Sequence, residues 1–348
     1  MNQPATETPA SPPALPPQAQ LMQMLTAHVM VSAVYGFAEL GIADLLKDGP
    51  RSADDLAPAI GGHGPSVYRL LRTLAGFGIV SEDADHRFAL TPLGDALRSD
   101  APGHVRSMAR VMSGGLGWRT LGEFTHALKT GTPAFDKAFG TSIFDFLATA
   151  PQEATWFNET MIAFHGSEPP AVAAAYDFSG IGTLIDVGGG TGNLLTTILA
   201  AHPTVRGVLQ DVPHVAAQAR SLIASRSLTD RCTVVEGDFF ESVVEGGDAY
   251  ILSHVIHDWD EASCLRILGH VRRAMSPAGR VLLVEMVIPS GNEFHLSKLS
   301  DMIMLAFTPG GRERSAEEYG ALFAKAGLKL TRVVPTASPV SVVEAVPA

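Results

Sequence analysis

From residue 180 onward, short apolar runs alternate with stretches of helical periodicity: TLIDV, VRGVLQ, CTVVE, DAYILS and RVLLVE. Such runs are too continuously apolar to have one wet face, so they read as strands covered on both sides. Five of them with intervening helices predict a parallel, doubly wound sheet. Two more runs, LKLTRVV and SVVEAV, are separated only by PTASP. That spacing leaves no room for a crossover helix, so the pair must form an antiparallel hairpin. The expected fold class is α/β, a Rossmann-like doubly wound sheet with an antiparallel last strand.

The first strand of the series runs into LIDVGGGTGNLL, residues 184–195. A strand, a glycine run and a helix start bring a ligand against bare backbone. Three ligands use such loops: a nucleoside triphosphate, a dinucleotide and S-adenosylmethionine. A tight turn without a ligand is the plain alternative. There is no Gly-Lys-Ser/Thr, so no lysine reaches a triphosphate. Gly188, Gly190 and Gly192 follow G-x-G-x-G, and Asn193 takes the slot of the last dinucleotide glycine. S-adenosylmethionine offers an amino-acid tail, a ribose diol and an adenine. Gly188 and Gly190 let the tail approach, and Asp186 at the strand end can help bind its ammonium. Asp211 ends the second strand, where doubly wound folds place an acid for a ribose diol. Asp238, in EGDFF after the third strand, offers an acceptor to the adenine amine, with Phe239 beside the ring. Three acids at consecutive strand ends are more specific than the glycines alone. With the antiparallel last strand they give the outline of a class I methyltransferase fold.

The fourth strand runs into SHVIHDWDE, residues 253–261. His254 and His257 could pair on a metal with Asp258 or Asp260, but no further histidine or carboxylate motif completes a ligand set. A purely structural histidine is the plain reading. The sharper one is a general base, because imidazole titrates near neutrality and can take a proton from a hydroxyl.

Upstream, residues 1–20 hold six prolines and no secretion-signal pattern, so a disordered tail is expected. Residues 21–46 read as a very apolar helix, with more greasy surface than a monomer would expose. No apolar run reaches the expected length of a membrane span. Ser52 with Asp55 predicts a capping box, Pro65 opens the next helix, and IVSEDADHRFAL reads as a hairpin. Helix, helix, hairpin is a winged-helix pattern, here assigned to 21–105. A winged-helix regulator is a possible reading. However, the second helix carries only Arg69 and Arg72, the hairpin is acidic and the net charge is -11, which argues against a nucleic-acid partner. Residues 106–178 read as a helical, aromatic-rich linker and pocket segment, and 179–348 as the catalytic domain. Cys232 and Cys264 sit in no metal spacing and fit a reducing cytoplasm.

LIDVGGGTG, DVPHV, GDFF, HVIHDWD and PGGRER together resemble the plant caffeate-type O-methyltransferase family and its bacterial relatives that decorate polyketides, phenazines and other aromatic metabolites. The resemblance covers residues 21–348. It implies a winged-helix dimerisation domain forming a homodimer, a Rossmann-like catalytic domain, S-adenosylmethionine as cofactor, S-adenosylhomocysteine as product and no metal. It places the catalytic histidine at His257, with Glu285 and Glu313 orienting it. Cofactor positions fall on Gly188, Asp211, Asp238, Phe239 and Ser253, with the indole of Trp259 near the adenine. Ser253 stands where plant members carry lysine. The substrate wall falls on Phe157, Met161, Asp258, Ile303, Met304 and Thr308, the last often asparagine in plants. The implied reaction is methyl transfer to a phenol-like hydroxyl. A same-fold relative that hydroxylates or decarboxylates is the rival reading, and the intact His257, Glu285 and Glu313 set argues against it. Nitrogen, sulfur and carboxylate acceptors remain open at this stage.

Overall fold

The computed structural model describes residues 15–101 and 103–348. Of the tail expected over 1–20, residues 1–14 lie outside the described residues, and Pro17 already opens a helix. The chain divides into two units, one ending at Gly114 and the other beginning at Gly115.

The first unit starts with the helix Pro17–Glu39, which buries only Phe37 and Ala38 completely. Leu21, Met22, Met24, Leu25 and Val29 are all exposed, so the greasy surface read from the sequence is present. By length and composition this helix could cross a membrane, which corrects the expectation that no apolar run is long enough. Ser52 and Asp55 form the expected capping box on Ala53–Ala59. Gly64–Gly76 follows, with Pro65 in its first turn and Val67, Leu71 and Leu74 buried. Val80–Glu82 and Arg87–Leu90 make the antiparallel hairpin, joined by Arg51–Ser52 as a third strand. Two helices and a hairpin therefore follow one another in the order read from the sequence. The helix Arg106–Ser113 belongs to this unit rather than to the following segment. It packs on Pro17–Glu39, and Arg106 is paired with Asp44 at 2.6 Å.

In the second unit the seven apolar runs are the seven strands β1 (Thr183–Val187), β2 (Arg206–Asp211), β3 (Cys232–Glu236), β4 (Ala249–Ser253), β5 (Arg280–Glu285), β6 (Leu328–Pro335) and β7 (Ser341–Pro347). Their order across the sheet is β6-β7-β5-β4-β1-β2-β3. β1 to β5 pair in parallel, while β7 pairs antiparallel with both β5 and β6. One face is covered by a core that includes Leu195, Ile198 and Leu199, the other by one that includes Ile267, Leu268, Leu322 and Phe323. This double covering is why the strands lack a polar face. Parallel pairing brings the carboxyl ends of β1, β2, β4 and β5 to one edge, and with them Asp186, Asp211, Ser253 and Glu285. In the helical part of this unit Phe135 stacks on Phe139 at 4.5 Å, and Phe157 and Ile303 pack against the same cluster.

Candidate active site

At the end of β1 the backbone of Gly188 (φ 71°) and Gly190 (φ 58°) lies in the left-handed region that glycine tolerates. Gly189 is the tightest point: a Cβ there would lie 2.7 Å from the Asp186 carboxyl and 2.8 Å from Leu209. Phe239 covers the turn, 3.2 Å from where a Gly188 side chain would begin. Gly190 donates its N–H to Asp211 at 2.8 Å, and Val212 donates to the other Asp211 oxygen at 2.7 Å. Asp211 thus ties the loop to β2.

Asp186 is buried, and neither of its oxygens has a hydrogen-bond partner. Burial, helped by the nearby charge of Asp211, pushes its carboxyl up to about 7. A buried carboxylate without donors lacks counter-charge, and a primary ammonium would provide both. Asp238 is exposed and accepts the Phe240 N–H at 2.8 Å. The Trp259 indole lies edge-on to Phe240 with centroids 4.8 Å apart, and its Nε1 is buried without a partner. Ser253 is half-buried at the end of β4. An amino-acid tail, a diol and a flat ring therefore find an orphan carboxylate, a fixed acid and an aromatic corner along one strand edge.

Beyond β4 the chain turns sharply. His254 adopts φ 54°, a left-handed conformation that costs a non-glycine residue about 1–2 kcal/mol. Strain of this kind concentrates at functional turns. The turn delivers His257, 8% exposed, into a carboxylate cage. Its Nδ1 lies 3.0 Å from Glu285 Oε2 and 3.4 Å from Glu313 Oε1. The 3.0 Å contact sets the ring nitrogen beside the carboxylate without an aligned hydrogen bond. Asp258 Oδ1 is 3.6 Å from His257 Nε2. Burial alone would lower the proton affinity of His257. The charges of Glu285 and Asp258 outweigh it, and the imidazole is held well above the usual histidine range. The same contact lowers Glu285 against the opposing effect of burial. For Asp258 burial prevails and lifts the carboxyl to about 6.

The cage is itself positioned. Glu285 Oε1 accepts the Ile256 N–H at 3.0 Å, and Glu313 Oε1 accepts the Ser300 hydroxyl at 2.7 Å. Arg314 is fully buried and donates to the carbonyls of Ile256 (3.0 Å) and Trp259 (3.3 Å), clamping the turn. Ser300, Arg314 and Gly189 were not singled out from the sequence, although Arg314 lies within PGGRER and Gly189 within the glycine run.

His254 does not join Asp258 or Asp260 as the sequence allowed. Asp260 caps the helix Glu261–Ala274 through the Ser263 N–H at 2.8 Å. His254 Nε2 instead lies 2.7 Å from Glu168 Oε2, and that oxygen is also 3.1 Å from His165 Nδ1. Of the acceptor-wall positions, Phe157 and Ile303 pack in the phenylalanine cluster, and Met161 and Met304 are half-buried. Thr308 is buried and spends its hydroxyl proton on the Met304 carbonyl at 2.8 Å.

Comparison with known proteins identifies the family. A family model for the O-methyltransferase domain matches residues 118–329, and one for the O-methyltransferase dimerisation domain matches residues 22–100. The chain is 43% identical over 334 residues to the phenazine O-methyltransferase PhzM of Lysobacter antibioticus, covering 96% of this chain and 97% of that one. It is 39% identical over 317 residues to the mitomycin biosynthesis 6-O-methyltransferase of Streptomyces lavendulae, covering 90% and 89%. The crystal structure of NcsB1, an O-methyltransferase from neocarzinostatin biosynthesis in complex with S-adenosylmethionine and 2-hydroxy-5-methyl naphthoic acid, superposes with a TM-score of 0.79 at 34% identity, covering 92% of this chain and 96% of that one. The strand-edge site thus fits S-adenosylmethionine both by its own chemistry and by kinship. The chain belongs to the S-adenosylmethionine-dependent O-methyltransferase family and carries that family's dimerisation domain.

Proposed function

We propose that the chain methylates a hydroxyl of a small aromatic metabolite, with His257 as the general base. The observation that carries this reading is the imidazole held between two buried carboxylates on its Nδ1 side, which leaves Nε2 to receive a proton. S-adenosylmethionine, when bound, supplies an electrophilic methyl on a sulfonium that is already a good leaving group. A phenol has a pKa of about 10, so little of it is ionised at neutral pH. His257 Nε2 takes the hydroxyl proton, and Glu285 and Glu313 stabilise the imidazolium that forms. Asp186 holds the cofactor's ammonium, Asp211 its diol, and Asp238, Phe239 and Trp259 the region of its adenine. Gly188, Gly190 and Ser253 let it lie against the backbone. Phe157, Met161, Asp258, Ile303, Met304 and Thr308 wall the acceptor. The naphthoic acid in the NcsB1 complex supports a flat aromatic acceptor. The two free, buried cysteines support a cytoplasmic location.

His257→Ala should lose on the order of 10²–10⁴-fold in turnover, the usual range for general-base catalysis. Its affinity for S-adenosylhomocysteine, measured by calorimetry, should be retained. Near-normal turnover would remove His257 as the base. A product heavier by one oxygen rather than by one methylene would favour the hydroxylase reading instead.

A further inference from the structure

We propose that His165, Glu168 and His254 form a binding site for one divalent first-row transition cation, beside the base. His165 closes the helix Pro151–His165, and Glu168 opens Glu168–Ala175. His254 arrives from the turn after β4. Three elements of the second unit thus bring two imidazoles and a carboxylate to one point.

One ligand atom from each of the three residues lies within 4.8 Å of the others. Both imidazole nitrogens converge on the same oxygen, Glu168 Oε2, at 3.1 and 2.7 Å. The second oxygen, Oε1, is buried and has no partner at all. The rings are also crowded, with centroids 3.8 Å apart and planes inclined by 40°. Tetrahedral ligand atoms about 2.0–2.1 Å from a zinc-like ion lie about 3.3 Å apart. The observed 2.7 and 3.1 Å are shorter, so the side chains would part by a few tenths of an ångström to take the ion.

Two imidazoles and one carboxylate suit zinc, cobalt, nickel or copper rather than magnesium or calcium. His254 Nδ1 is buried without an acceptor. The site therefore lacks the outer hydrogen bond that usually tightens a histidine ligand by about 10–100-fold. The expected affinity is accordingly on the order of micromolar, not that of a structural zinc site.

The test uses the full-length protein, freed of metal with a chelator. Titration with cobalt(II), followed by visible absorption, and with zinc(II), followed by calorimetry, should show one ion per chain. Glu168→Gln and His165→Ala should each weaken binding on the order of 100-fold, with thermal melts confirming that they fold. His165 is partly exposed, so its variant keeps the test decisive if Glu168→Gln fails to fold. No saturable binding by the unmodified chain would overturn the proposal. So would binding that either folded variant retains.

Discussion

Glu285→Gln isolates what the carboxylate does for the base, because it keeps the shape and the acceptor to Ile256 while removing the charge. Glu285 Oε2 lies 3.0 Å from His257 Nδ1. At an effective dielectric constant of about 20, that separation corresponds to about 5 kcal/mol between full charges. Proton transfer is only part complete in the transition state, so about half of this, 2–3 kcal/mol, is at stake there. Glu313 at 3.4 Å remains and offsets a portion. The expected loss in kcat is therefore on the order of 10²-fold, at about 1.4 kcal/mol per decade. The sign of the pH effect is independent of that size. Glu285 helps hold the folded His257 above the ordinary histidine value, so the neutral, competent base accumulates as pH rises through that raised value. In the native enzyme the acid limb of the kcat profile should lie above the usual histidine range of about 6.5. In Glu285→Gln it should move to lower pH. Steady-state rates over a range of pH, with both substrates saturating, measure limb and plateau together. An unmoved limb with unchanged kcat would refute the argument that this carboxylate acts through the charge of the imidazole.

Three other perturbations follow from the same site and its surroundings. Asp186 titrates at about 7 in the ligand-free fold, against about 3.9 when unfolded, so its burial erodes stability as pH rises between those values, by about 4 kcal/mol in all. Asp186→Asn should raise the ligand-free melting temperature at pH 8 and weaken S-adenosylhomocysteine binding at least tenfold, as read by differential scanning and titration calorimetry. Arg314→Ala leaves the buried carbonyls of Ile256 and Trp259 without their donor, and denaturant melts should show a loss of about 3 kcal/mol or more. Leu25→Asp combined with Val29→Asp places two charges on the exposed apolar face of the first helix, and light scattering should show the dimer giving way to monomer.

What the sequence made legible was local. Each strand of the sheet could be read because burial on both faces removes the polar residues that would otherwise interrupt it. The antiparallel end could be read because PTASP is too short to hold a helix. The strand-end acids Asp186, Asp211 and Asp238 could be read because parallel pairing brings equivalent ends to one edge, whereas Glu285 came only from the resemblance. The parts that stayed hidden depend on contacts between distant stretches of chain. Nothing near SHVIHDWDE announces that His254 will face Glu168, 86 positions earlier, because HGSE reads as an ordinary helix junction. Arg314 sat inside a motif already quoted, yet its role depends on which carbonyls the turn at 256–259 leaves without partners, and that is fixed only by the left-handed His254. The strained residue thus has two consequences. It turns His257 into the cage of Glu285 and Glu313, and it commits its own ring to a second carboxylate outside that cage. A His254→Gly replacement would relieve the backbone while deleting the ring, so unaltered turnover together with lost metal binding would show that these two consequences are separable.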